Sequence, residues 1–187
     1  ISRPTSQACK RLPMTLLSDA QALIQAPWAV PHTRHRAVAL LLATTSLLFS
    51  LAGNAWEATI ERDALGVPHI YGDTNADMAF GLAYAQAEDG WEILEETLPY
   101  YRGHAARFFG KDAAATDYLV QWLDFWNTIE RDYDAQLSPD TKRYLDAFAA
   151  GFNVFAAAHP ERVTLDILPV TPQDVIAAHM FRHLLFY

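Results

Sequence analysis

Cysteine is all but missing from this 187-residue chain. Its one thiol, Cys9, can form no internal disulfide and supports no Cys-x-x-Cys metal site. Positive charge is scarce as well. Lys and Arg number 14 against 22 Asp and Glu, for a net charge of −8, which argues against the basic face that a nucleic-acid binder needs. Nucleophilic side chains thin out along the sequence. Beyond Ala55 the one serine is Ser138, and it precedes Pro139 as a helix cap does. A Ser-His-Asp triad is therefore not expected within the chain. Long apolar runs are limited to residues 37–52. What remains is plentiful hydrophobic material, 51% of residues against 19% charged, the composition of a folded domain rather than a disordered tail.

The charge is unevenly placed. Residues 1–55 hold five bases (Arg3, Lys10, Arg11, Arg34, Arg36) and one acid (Asp19), whereas residues 56–187 hold nine bases and 21 acids. In the first stretch His32-Thr33-Arg34-His35-Arg36 forms a basic patch, an apolar run follows from Ala37 to Ala52, and Gly53-Asn54-Ala55 places small residues two apart. That order is the order of a secretory signal peptide cut after Ala55. As a helix the 16-residue run reaches about 24 Å, short of a bilayer core of roughly 30 Å, so no stable membrane anchor is expected. The chain opens on Ile1, with Met14 its first methionine, and stops at Tyr187 inside an apolar helical pattern. We read residues 1–55 as an N-terminal extension and signal, and 56–187 as the C-terminally incomplete front of a longer exported protein.

Within the exported part, Trp56–Asp63 reads as a strand and His69-Ile70-Tyr71 as a second extended piece after the Gly66-Val67-Pro68 turn. From Asp73 the pattern turns helical and runs through Trp91–Leu98, with Pro99 and Gly103 expected to break it. Ser138-Pro139-Asp140 opens the best-supported helix. Leu145, Phe148, Phe152 and Phe155 follow at spacings of 3, 4 and 3, and Pro160 closes it. Thr171-Pro172-Gln173-Asp174 opens a last helix in the same manner.

Three groups of side chains are candidates for chemistry. His179 and His183 stand four apart on the last helix and could face one metal, but Met180 occupies the place where a zinc-protease helix carries its glutamate. Two histidines at a helix surface or subunit seam is the simpler reading. Glu88, Glu92, Glu95 and Glu96 share a helical face and read as a solvated acidic stripe, with an acid–base pair as the minor alternative. Asp73 and Asp77 read as acids at a helix start. Finally, Met180, Phe181, Leu184, Leu185 and Phe186 make the last helix apolar nearly all round. This suits a core helix or the wall of an apolar ligand pocket.

Four blocks carry a resemblance. Ile60-Glu61-Arg62-Asp63-Ala64-Leu65-Gly66-Val67-Pro68-His69-Ile70 resembles the RD-x-x-GVPHI signature that opens mature proteins of the penicillin acylase family. Ala79-Phe80-Gly81-Leu82-Ala83-Tyr84-Ala85-Gln86-Ala87-Glu88-Asp89 resembles the FG-x-A-Y-AQAED helix that follows. Arg102-Gly103 with Phe109-Gly110 resembles its RG…FG segment, and Leu168-Pro169-Val170-Thr171-Pro172-Gln173-Asp174-Val175 the segment leading to the pocket helix. In style the blocks are closer to the aculeacin A and acyl-homoserine-lactone acylase branch than to the penicillin G enzymes.

The resemblance implies an N-terminal-nucleophile hydrolase of α+β class: a four-layer αββα fold to which this chain contributes a mainly helical α-chain part. It implies a secreted or periplasmic precursor that cuts itself into a small α chain and a large β chain, the β chain opening with the catalytic serine and its free amine acting as base. The implied substrate is an N-acyl small molecule and the implied partner is the β chain. No residue here is then catalytic. The family's calcium-binding acid lies past the pocket helix, so no cofactor is expected in this chain, and a structural calcium belongs to the full enzyme. Phe181, Leu185, Phe186 and Tyr187 are the residues implied to line the acyl pocket. A secreted, non-catalytic helical binding module is the alternative of a different class.

Overall fold

The structure, a computed structural model, describes the backbone of residues 10–12 and 56–185. The expected signal peptide lies outside the described residues, as do Phe186, Tyr187 and the side chain of Leu185. Among the described residues no helix is long and apolar enough to cross a membrane.

Three short strands form one antiparallel sheet in the order β1 (Lys10–Leu12), β2 (Ala58–Arg62), β3 (Pro68–Tyr71). Ala58 and Ile60 point inward and are buried, so the period-2 alternation of a half-buried strand is present in β2. The β2–β3 register places Ile60 opposite Ile70 and Arg62 opposite Pro68. The turn between them is built by Asp63, whose carboxylate accepts from the backbone N–H groups of Leu65 and Val67 at 2.9 and 3.0 Å. Gly66 takes φ +84° there, a conformation that costs glycine nothing.

Six α-helices follow among the described residues: α1 (Asn75–Tyr101), α2 (Ala105–Phe109), α3 (Ala114–Trp122), α4 (Phe125–Gln136), α5 (Pro139–Ala158) and α6 (Pro172–Leu185). The mainly helical α+β class expected from the sequence is what is found. Helix α1 starts on a capping box. Thr74 Oγ1 accepts from the Asp77 backbone N–H, and the Asp77 carboxylate accepts from the Thr74 N–H at 3.0 Å. It kinks at Gly90, whose φ and ψ of −157° and 40° are not helical.

Pro99 does not end α1, contrary to the sequence expectation: it sits in the last turn and the helix continues to Tyr101. The stop comes from Gly103 at φ +67°. The Gly103 N–H donates to the Tyr100 carbonyl and the His104 N–H to the Pro99 carbonyl, at 3.0 and 2.9 Å, which is a Schellman closure. Helix α5 begins as read from the sequence, with Ser138 Oγ accepting from the Thr141 N–H at 3.1 Å and Pro139 in the first turn. Helix α2 borrows its N-terminal cap from α3. Asp117 accepts from the N–H groups of Ala105 and Ala106 at 2.7 and 2.8 Å.

The core lies where α1 crosses α5. Phe80, Ala83, Tyr84, Ala87 and Trp91 of α1 are buried against Phe152, Phe155 and Ala156 of α5. Phe155 meets Tyr84 edge-on and Trp91 at a tilt, both at centroid separations of 5.6 Å. The helices approach closely because small residues sit at the crossing. A Cβ on Gly151 would run into the Phe80 carbonyl oxygen and lie 2.8 Å from the Ala83 Cβ. On the opposite side of α1, Gly81 makes room for Ala58 and Ile70 of the sheet. Burying each large aromatic side chain here contributes about 1.5–3 kcal/mol.

Candidate functional site

The four sequence blocks are joined in pairs by two arginines. Arg62, at the end of β2, reaches Glu88 at 3.2 Å and Asp89 at 2.8 Å on α1, and donates to the Gly66 carbonyl at 2.9 Å. The first block is thus pinned to the second. The carboxylate of Asp89, and then that of Glu88, raise the Arg62 guanidinium pKa further above its ordinary value.

Arg102 joins the third block to the fourth. Its Nε and Nη2 each stand 2.7 Å from a carboxylate oxygen of Asp174, a bidentate pair. Its remaining donors take the Ile167 carbonyl at 2.6 Å and the Pro169 carbonyl at 2.9 Å. Asp174 is 1% exposed. It also accepts from the Thr171 N–H and hydroxyl, both at 2.7 Å, and so caps the start of α6. Asn153 of α5 holds Val170 through both halves of its amide, each bond 2.8 Å long. Together these contacts fix residues 167–174 against α1 and α5 and set the direction in which α6 leaves.

With α6 so placed, α1, α5 and α6 enclose an open groove of about 850 Å³. Ile93, Leu94 and Leu98 line it from α1, Leu145, Phe148 and Phe152 from α5, and Val175, Ile176 and Ala178 from α6. His179 and Arg182 stand on the same side of α6 and supply its polar edge. Ile93 is 69% exposed although it is a large apolar side chain. An apolar groove with few polar groups can hold a chain-like apolar ligand. A second recess of about 630 Å³ is lined by Arg102, by Asp124 at the N-cap of α4, and by Trp126 and Glu130 of α4.

Of the residues implied to line an acyl pocket, Phe181 is half-buried, its ring 5.5 Å from that of Tyr101, which itself lines the groove. Leu185 ends the described helix. Helix α6 is less enclosed than its composition implies: Leu184 is 46% exposed and Met180 half-buried, while Ala177 and Asp174 are buried. His179 and His183 do come together, Nε2 to Nε2 at 2.9 Å, both exposed.

The acidic stripe on α1 is not a simple solvated face. Glu95 is 4% exposed and accepts from the Thr164 and Leu165 N–H groups at 2.6 and 2.7 Å and from the Thr164 hydroxyl at 2.8 Å. Glu92 takes Arg162 in a bidentate pair at 2.7 and 2.8 Å, which holds its pKa below the ordinary 4.5. The stripe is the seam that holds residues 162–165 to α1. Arg102, Asn153 and Glu95 were not legible as partners in the sequence. The nearest local sign was Asp174, three residues after Thr171 in the pattern of a capping box.

The geometry is matched by relationship. The family model described as Penicillin amidase matches residues 57–185. This chain belongs to the penicillin amidase family. The penicillin acylase 2 proenzyme of Pseudomonas sp. (strain SE83) is 31% identical over 142 residues, covering 75% of this chain and 18% of that protein. The acyl-homoserine lactone acylase PvdQ of Pseudomonas syringae pv. syringae is 31% identical over 114 residues, covering 53% of this chain and 14% of that protein. The chain thus spans less than a fifth of the length of these curated relatives. Among solved structures, a thermostable penicillin G acylase from Alcaligenes faecalis superposes with a TM-score of 0.58 at 24% identity, covering 64% of this chain and 68% of that one. That likeness gives the fold, an N-terminal-nucleophile hydrolase fold, and it accounts for a small sheet flanked by helices. Within this penicillin amidase family member, the resembling blocks are the residues that carry the Arg62 and Arg102 junctions.

Proposed function

We propose that this chain is the N-terminal portion, the α chain, of a secreted or periplasmic acylase precursor that hydrolyses the amide bond of N-acyl compounds. Acyl-homoserine lactones, penicillins and lipopeptides are the candidate substrates. The observation that carries the reading is the family match across residues 57–185, with relatives named as penicillin and acyl-homoserine lactone acylases. The nucleophile is a serine that opens a β chain encoded beyond Tyr187, and its free amine is the base. In this chain Ser138 is committed to its helix cap. Its own contribution is the frame set by Arg62 and Arg102 and part of the acyl pocket through Phe181, Leu185, Phe186 and Tyr187. Export is directed by the segment ending at Ala55.

Expression of the whole coding sequence tests this reading. N-terminal sequencing is expected to find one chain that begins at Trp56 and a second that begins with serine, and the pair to release acyl groups from N-acyl substrates. The 187-residue chain alone is expected to release none. Turnover by that chain, free of other enzyme, overturns the proposal, as does a product with no serine-initiated chain. Phe181→Ala in the complete enzyme is expected to shift preference toward longer acyl groups, since each methylene in an apolar pocket discriminates by about 1–3 kcal/mol. Equal loss of kcat/KM along the whole acyl series shows instead that Phe181 only supports Tyr101.

A further inference from the structure

We propose that His179 and His183 form a chelating site for a divalent transition-metal ion, with Cu²⁺ the preferred occupant. The two rings lie one turn apart on α6 and meet edge to face, with centroids 4.4 Å apart and Nε2 atoms 2.9 Å apart. Both side chains are exposed, so an ion can reach them. Metal–imidazole bonds are about 2.0–2.1 Å long, so two such nitrogens at right angles around one ion stand about 2.9 Å apart, and at the tetrahedral angle about 3.3–3.4 Å. The observed separation is that of a hydrogen bond between the two rings and is compatible with one ion bridging them at a right angle; the preference for Cu²⁺ follows from its place at the top of the divalent affinity order at imidazole nitrogen.

Binding requires both nitrogens to be unprotonated, with the remaining ring proton of each on Nδ1. The ion then replaces the contact between the two Nε2 atoms. Hard cations have no part in this pair, because Ca²⁺ and Mg²⁺ take oxygen ligands. The chain's net charge of −8 favours an approaching cation. Arg182, on the groove side of the same helix, opposes it locally. The site rests on these two rings and not on the proposed hydrolysis, so neither reading stands or falls with the other.

The test is titration of Cu²⁺, Ni²⁺, Zn²⁺ and Ca²⁺ into the protein produced from its whole coding sequence, followed by calorimetry and, for Cu²⁺, by visible absorption and paramagnetic resonance. One equivalent of Cu²⁺ is expected to bind with an axial, nitrogen-coupled signal, more tightly than Ni²⁺ or Zn²⁺, and Ca²⁺ is expected not to compete. His179→Ala and His183→Ala are each expected to weaken Cu²⁺ binding at least about tenfold, since even loss of a metal ligand's supporting partner costs 10–100-fold. His69→Ala is the control and leaves binding unchanged. Both target side chains are exposed, and circular dichroism of each variant checks that the fold is kept. No Cu²⁺ binding by the parent protein overturns the proposal. So does an affinity and spectrum that neither His179→Ala nor His183→Ala alters.

Discussion

Replacing Arg102 by alanine removes four contacts at once. The buried Asp174 carboxylate loses its bidentate partner, and the Ile167 and Pro169 carbonyls lose their donors. Removing one member of a buried ion pair costs about 3–5 kcal/mol. Asp174 keeps its two bonds from Thr171, which places Arg102→Ala toward the lower end of that range. Asp174→Asn keeps the shape and leaves Arg102, 22% exposed at its side chain, able to reach water. It is therefore expected to cost less, about 1.5–3 kcal/mol, the worth of hydrogen bonds to a charged group. Arg102→Lys supplies charge without the planar fork and is expected to rescue only part of the loss. The assay is urea unfolding of the chain. With a slope of about 2 kcal/mol/M, the Arg102→Ala midpoint falls by about 1.5–2.5 M. The double variant Arg102→Ala/Asp174→Asn is expected to cost less than the sum of the singles, as contacting residues do. A cost below about 1 kcal/mol for Arg102→Ala, the worth of a surface pair, refutes the argument that this junction holds residues 167–174 in place.

Gly151→Ala is expected to destabilise the chain by about 1–3 kcal/mol through overpacking, although alanine is the better helix former by about 0.8–1.0 kcal/mol. A stabilised variant in the same unfolding assay shows that α1 and α5 do not cross at Phe80 and Ala83. The Glu92–Arg162 pair adds acid sensitivity. The folded pKa of Glu92 is lowered, first by the Arg162 hydrogen bond, so its contribution is present above the ordinary 4.5 and lost as pH falls through the lower folded value. Thermal melts between about pH 6 and pH 3 are expected to show the parent chain and Glu92→Gln converging at the acid end; a constant difference across that range refutes the assignment.

What the sequence by itself determined is local. Ser138-Pro139, Thr74 with Asp77, and Gly66 specify starts and turns through bonds that span no more than four residues, so propensity and capping chemistry suffice to read them. Strand β2 and the apolar spacing of α5 are legible for the same reason, since a face buried at period 2 or 3.6 is written into consecutive residues. The resembling blocks pointed to the family without showing why their residues are what they are. That was decided by contacts across the chain. Arg102 meets Asp174 at a separation of 72 residues, Glu95 meets Thr164 at 69, and Arg62 meets Asp89 at 27. A charged side chain carries no mark of its partner; only packing brings the two together and excludes the water that would otherwise satisfy them. The fate of Pro99 was likewise tertiary. Its neighbour Leu98 is 2% exposed in the core, and Gly103 beyond it offers the left-handed conformation at which the helix can close.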